Sequence, residues 1–157
     1  MTDTARALLV AALLGGSGLG LFVRRLVNID PAEPERLIGE LRLAHWMGAV
    51  LTAVSGAWIG LAAARGGQAL AGIDLTLAFA AIVLAAWTFQ LETRRALAIL
   101  CAAFFAHAII DIAHRPGGLA ADLAPRWFTL GCAAFNLYLS ALCFWPQRRS
   151  GRRTGAM

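Results

Sequence analysis

Three residues that can exchange protons or bind metals are spaced His107-x3-Asp111-x2-His114 in an otherwise apolar stretch. Positions four and seven apart share one face of a helix, so two imidazoles and a carboxylate would point the same way. Two chemistries suit that set. Imidazole and carboxylate together can hold zinc, copper, iron or nickel, and histidine can pass protons near neutral pH. Asp74, Asn136 and Ser55 are the other polar positions that can reach the same depth. The candidate metal-ligating set is therefore His107, Asp111, His114 and Asp74. A purely structural arrangement is also open: Asp111 would accept from His107 or pair with Arg115, His114 would sit at an interface, and Asp74 would cap its own helix just after Gly72.

Apart from His114, which follows the fourth directly, these residues lie in five nearly charge-free stretches of about 17 to 22 residues: Ala7–Val23, Leu43–Ala64, Leu70–Gln90, Ala96–Ala113 and Phe128–Trp145. At 1.5 Å rise per residue, each is long enough for the roughly 30 Å hydrocarbon core of a bilayer. A helix of a soluble domain would carry polar positions every three or four residues to keep one face wet. The chain is 59% hydrophobic and 15% charged, with a mean hydropathy of +0.67, against about 25% charged in soluble domains. The expected fold is an all-α, polytopic bundle of five transmembrane helices forming a single domain, with residues 146–157 as a basic cytoplasmic tail.

Threading follows from the cations, because cytoplasmic loops retain Lys and Arg. All fourteen cations are arginine. Five crossings place ten (Arg24, Arg25, Arg36, Arg42, Arg94, Arg95, Arg148, Arg149, Arg152, Arg153) on one side and four (Arg6, Arg65, Arg115, Arg126) on the other. The expectation is N-terminus out and C-terminus in, in the inner (plasma) membrane. Only Arg6, offset by Asp3, precedes the first stretch, and Arg24-Arg25 follows it as a stop signal. It therefore reads as a retained span rather than a cleaved signal peptide.

Gly15, Gly16, Gly18 and Gly20 let the first helix approach a neighbour closely, in this chain or in a second copy. Asp30-Pro31-Ala32-Glu33-Pro34-Glu35 reads as a helix start, with Asp30 as cap and Pro31 in the first turn, so the second helix begins at the surface and enters lipid near Leu43. Arg65-Gly66-Gly67-Gln68 and Leu91–Arg95 read as tight turns, His114–Gly118 as a helix stop, and Leu119–Arg126 as a short surface segment. Trp46, Trp58, Trp87, Trp127 and Trp145 read as an aromatic belt. Cys101, Cys132 and Cys143 sit inside spans without C-x-x-C spacing, as small apolar fillers. The pI near 10.4 reflects topology-setting arginines in the loops and tail, so it does not imply nucleic-acid binding.

The run Arg42-Leu43-Ala44-His45-Trp46 resembles the R-x-x-H-W opening of a haem-binding span in the membrane b-type cytochromes of the hydrogenase and formate dehydrogenase class. His107 and His114 are similar to the paired histidines of a later helix in some of those proteins. The resemblance implies haem b as a cofactor and a redox subunit as the function. It departs in depth, since His45 to His107 differ by about 14 Å along the membrane normal at 1.5 Å per residue, too far for one iron. No Ser-His-Asp set, phosphate-cradling loop or H-E-x-x-H is present, which argues against an enzyme. The leading expectation is an accessory subunit or binding module working within the lipid bilayer, through other membrane subunits or self-association. A metal-ion or proton transporter or binding protein is the second reading, and a haem redox subunit the third.

Overall fold

The computed structural model describes residues 3–64, 71–116, 118–119 and 124–151, and among these it is helical with no strand. Five helices follow one another: α1 (Asp3–Leu26), α2 (Pro34–Ala64), α3 (Ala71–Thr88), α4 (Thr93–Ala113) and α5 (Arg126–Gly151). Leu9–Leu26, Pro34–Ala64, Thr93–Ala113 and Arg126–Arg148 are each long and apolar enough to cross a membrane, and α3 contributes a shorter apolar helix. The ends of α3 are nonetheless level with those of α4. Asp74 near its start meets His114 at the end of α4, and a turn from Thr88 to Leu91 leads into the start of α4. Large apolar side chains face outward along the helices, among them Leu14, Phe79, Val83, Phe105, Ile109 and Leu130. An apolar exterior of this kind fits a membrane protein, because the hydrophobic drive that would bury it in water is absent in lipid.

In the bundle α2 lies along α3 and α4 along α5, with α4 also packed on α2. One core joins Val23 and Leu26 of α1 to Leu43, Met47 and Leu51 of α2, Leu97, Leu100 and Phe104 of α4, and Leu139 and Leu142 of α5. It fills the half of the bundle nearer the arginine-rich end. A smaller cluster of Trp58, Ala62, Ala78 and Ala124 closes the opposite end. The polar candidates lie at that second end.

Small residues set the crossings of α1. The aromatic ring of Phe135 approaches Gly16 closely, and a Cβ at Gly20 would collide with the Tyr138 hydroxyl. That hydroxyl donates to the Gly16 carbonyl at 2.9 Å. The neighbour of the first helix is therefore α5 of the same chain. Nearer the loops, a Cβ at Gly39 would strike Leu26, so α2 passes the end of α1 almost backbone to side chain.

Several boundaries differ from the sequence reading. α2 starts at Pro34 rather than Pro31, because Asp30 accepts from the Ala32 amide at 3.0 Å and so closes a local turn. Pro34 takes the first-turn position, where its missing N–H costs nothing. α5 runs through Pro146 to Gly151, so the beginning of the basic tail is helical, while Arg152 and Arg153 lie outside the described residues. The Arg65–Gln68 turn and residues 120–123 of the Leu119–Arg126 segment lie outside them too.

Arg36, counted above among the loop cations, is buried, with only 2% of its surface exposed. Its Nε donates to Glu40 Oε1 at 2.6 Å, Nη1 to the Leu26 carbonyl, and Nη2 to the Pro146 carbonyl at 3.3 Å. One guanidinium thus ties the end of α1, the start of α2 and the end of α5. The Leu26 carbonyl is one of the acceptors that a helix C-terminus leaves without an intrahelical partner, and the cation meets the negative end of the α1 dipole. Replacing Arg36 by Ala is expected to lower stability by about 3 kcal/mol or more, since Glu40 would remain buried and uncompensated. The thermal unfolding midpoint in detergent measures this, and Arg36→Met combined with Glu40→Leu should recover part of the loss.

Candidate functional site

The helical period of α4 places His107, Asp111 and His114 on one face, and all three are buried. Three other helices close over that face. α3 supplies Asp74 (4% exposed), α5 supplies Asn136 (1%), and α2 supplies Ser55 and Trp58. Polar groups held away from water need partners inside the protein, and two bonded pairs form.

The first pair joins α3 to α4: His114 Nε2 lies 2.9 Å from Asp74 Oδ1. The other ring nitrogen, Nδ1, lies 2.8 Å from the Ile110 carbonyl. A carbonyl can only accept, so Nδ1 carries a hydrogen. A neutral ring of that tautomer presents a lone pair at Nε2. The contact with the carboxyl group then needs one further proton, held on nitrogen as an imidazolium facing a carboxylate or on oxygen as a carboxylic acid facing an imidazole. The Asp74–His114 contact is therefore a bond built around one proton that has two places to reside.

The second pair joins α4 to α5: Asn136 Nδ2 donates to Asp111 Oδ2 at 2.8 Å. Asp111 takes its hydrogen bond from Asn136, where the sequence left His107 and Arg115 as the candidates. Trp58 lies between the two pairs. Its indole stacks on the His114 ring with centroids 4.5 Å apart and planes 22° from parallel, and meets Phe128 edge-on at 6.4 Å. It also lies within reach of the Asp111 carboxylate. At the mouth, Arg126 Nη1 donates to the Ile112 and His114 carbonyls at 3.1 and 3.0 Å, serving the unpaired acceptors of the last turn of α4. The chain after His114 folds back, with Gly118 and Leu119 donating to Arg115 and Ala113. A Cβ at Gly118 would collide with the Ala113 carbonyl.

All four sequence candidates thus occupy one end of the bundle, with Asp74 and His114 in direct contact. Asp111 belongs to a separate pair, and His107 has no hydrogen-bond partner among the described residues. No three His, Cys, Asp or Glu side chains among the described residues come together as a group able to hold a metal ion. His114 is buried rather than interfacial, and Asp74 turns to His114 instead of capping its own helix. His45 stands at the arginine-rich end, exposed, with Nδ1 2.9 Å from the Leu41 carbonyl and its ring stacked on Phe89 at 5.2 Å. The histidines of the cytochrome resemblance therefore face opposite ends of the bundle.

Sequence reasoning missed Trp58 by placing it in the aromatic belt. Trp46, Trp87, Trp127 and Trp145 are well exposed, as belt residues are, but Trp58 is 5% exposed. Its position well inside a span, three residues from Ser55, was the available signal. Cys101 and Ser140 link α4 to α5 by a Ser140 hydroxyl bond to the Cys101 carbonyl at 2.9 Å.

Four buried side-chain atoms among the described residues have no hydrogen-bond partner in the protein: Ser55 Oγ, Asp74 Oδ2, Asp111 Oδ1 and Asn136 Oδ1. Three of them belong to the two bonded pairs, and the fourth is the polar side chain contributed one turn before Trp58. An unmet buried group costs about 1 to 3 kcal/mol. Comparison with protein families, characterised proteins and solved structures finds no match.

Replacing Asn136 by Leu should destabilise the protein by about 1 to 3 kcal/mol, because Asp111 Oδ2 would lose its donor and join Oδ1 as an unmet buried acceptor. Asp111→Leu in the same chain should relieve much of that cost. Unfolding in detergent of the two single variants and the double variant yields the pair's coupling energy, which a merely additive result would reduce to zero.

Proposed function

We propose that this chain is a multi-pass membrane protein that takes up and releases a proton at the Asp74–His114 pair, as a proton-transfer element in one half of the bilayer. The carrying observation is that a buried contact requiring a proton lies at the end of the bundle that also holds buried polar atoms without partners, Asp74 Oδ2 of the same carboxyl group among them. A purely structural role would be served by satisfying every group, or by apolar replacements, since ionisable residues at membrane depth are costly and commonly mark proton or ion pathways. The surplus of arginine at the other end supports a plasma-membrane orientation with the N-terminus outside, so that the pair opens toward the exterior. Infrared difference spectra of the reconstituted protein between acidic and alkaline buffer should contain a carboxyl band. Asp74→Asn should remove it, whereas a spectrum without any titrating carboxyl would sink the reading.

A second reading, an accessory subunit or binding module, is favoured by a different surface. Gly56 and Gly60 lie four apart on α2 with open space where a side chain would be, and Ala49 and Ala53 continue the same exposed face. Small residues at this spacing allow helices from another protein to approach closely. Replacing both glycines by Leu should then abolish co-purification of partner subunits after mild detergent extraction. Unchanged recovery of the same subunits would count against it.

A further inference from the structure

His107 is not engaged by either bonded pair. It lines a cavity between α2, α3 and α4 together with Trp58, Asp74, Ala78, Ile110 and His114, with about 10 Å³ of room for a water-sized sphere. That is close to the smallest space that holds one water molecule, and a buried water needs two to four polar partners. The lining supplies them: the His107 ring, which has no other partner among the described residues, and Asp74, whose Oδ2 is buried and unpartnered while Oδ1 is taken by His114. A metal ion would need three or four ligands, and no such group forms among the described residues.

We infer that one water molecule binds between His107 and Asp74 Oδ2, and that it connects His107 to the Asp74–His114 pair. The inference rests on the proton-transfer reading above and extends it by a third proton-bearing residue. The titratable groups lining the cavity are Asp74 from α3 and His107 and His114 from α4; Asp111 lies one helical turn from His107 in its own pair with Asn136, and Arg126 from α5 places a cation at the His114 carbonyl. Trp58, Leu77, Ala78 and Ile110 complete the lining without charge. In a transfer step, protonated His107 gives its ring proton to the water oxygen as the water gives one of its own to the Asp74 carboxylate. One N–H and one O–H bond break, two O–H bonds form, and the water is left unchanged.

The test uses the full chain in lipid nanodiscs, with infrared difference spectra between acidic and alkaline buffer recorded in ordinary and in heavy-oxygen water. The expected result is an O–H stretching band that shifts with the oxygen isotope, the signature of a bound water. Ala78→Val, which pushes methyl groups into the cavity and touches no polar group, should abolish that band while the titrating carboxyl band remains. Wild-type protein lacking an isotope-shifted band overturns the inference whether or not the variant folds, and so does a band that persists in folded Ala78→Val protein. A titrating carboxyl without the isotope-shifted band removes the water alone, whereas loss of both signals removes the proton-transfer reading as well. Zinc, copper, iron or nickel bound stoichiometrically in the purified protein, by elemental analysis, would also overturn it.

Discussion

A bilayer core offers no hydrogen bond to any side chain, and the arrangement of this bundle follows from that constraint. Apolar residues can face outward at no penalty, so the hydrophobic effect does not decide which helix face turns in. Polar side chains decide it instead. Asp74, His107, Asp111, His114 and Asn136 are all turned inward, and the bonds between them connect α3 to α4 and α4 to α5. α4 is the common member of both pairs, and its polar face sets the rotation of its neighbours about their own axes.

The two ends of the bundle use polar groups differently. At the arginine-rich end, Arg36 makes three bonds to an acid and two carbonyls, an arrangement that suits a permanent charge with a planar fork of donors. At the opposite end the groups are titratable, one contact must share a proton, and several acceptor atoms are left over. A network with unmet acceptors is costly in a low-dielectric interior, and three of the four unmet atoms among the described residues belong to Asp74, Asp111 and Asn136 at this end. The larger apolar core and the Arg36 clip lie together at the arginine-rich end, away from the titratable groups.

Trp58 and Arg126 show how neighbouring residues shape that chemistry. The indole covers one face of the His114 ring and excludes lipid and bulk water from it. Arg126 holds the final carbonyls of α4 and so fixes where the His114 backbone ends. Neither residue belongs to the proton-sharing pair, yet together they hold His114 against Asp74.

The amino-acid sequence by itself determined the lipid-facing, all-helical character of the chain, because long runs without charge admit only structures that satisfy their own backbone. It also determined that His107, Asp111 and His114 share a face, since that depends on the helical repeat alone. Partner choice was not legible. Asp111 could have met His107, Arg115 or Asn136, and Asp74 could have capped its own helix, because each option lies within local reach and the sequence carries no information on the rotation of one helix against another. Trp58 and Arg36 were misplaced for the same reason, as residue type suggested a membrane surface and packing put both inside. Only the tertiary structure, by crossing α3, α4 and α5 at Asp74, His114, Asp111 and Asn136, decided which groups share a proton and which are left with an unmet oxygen.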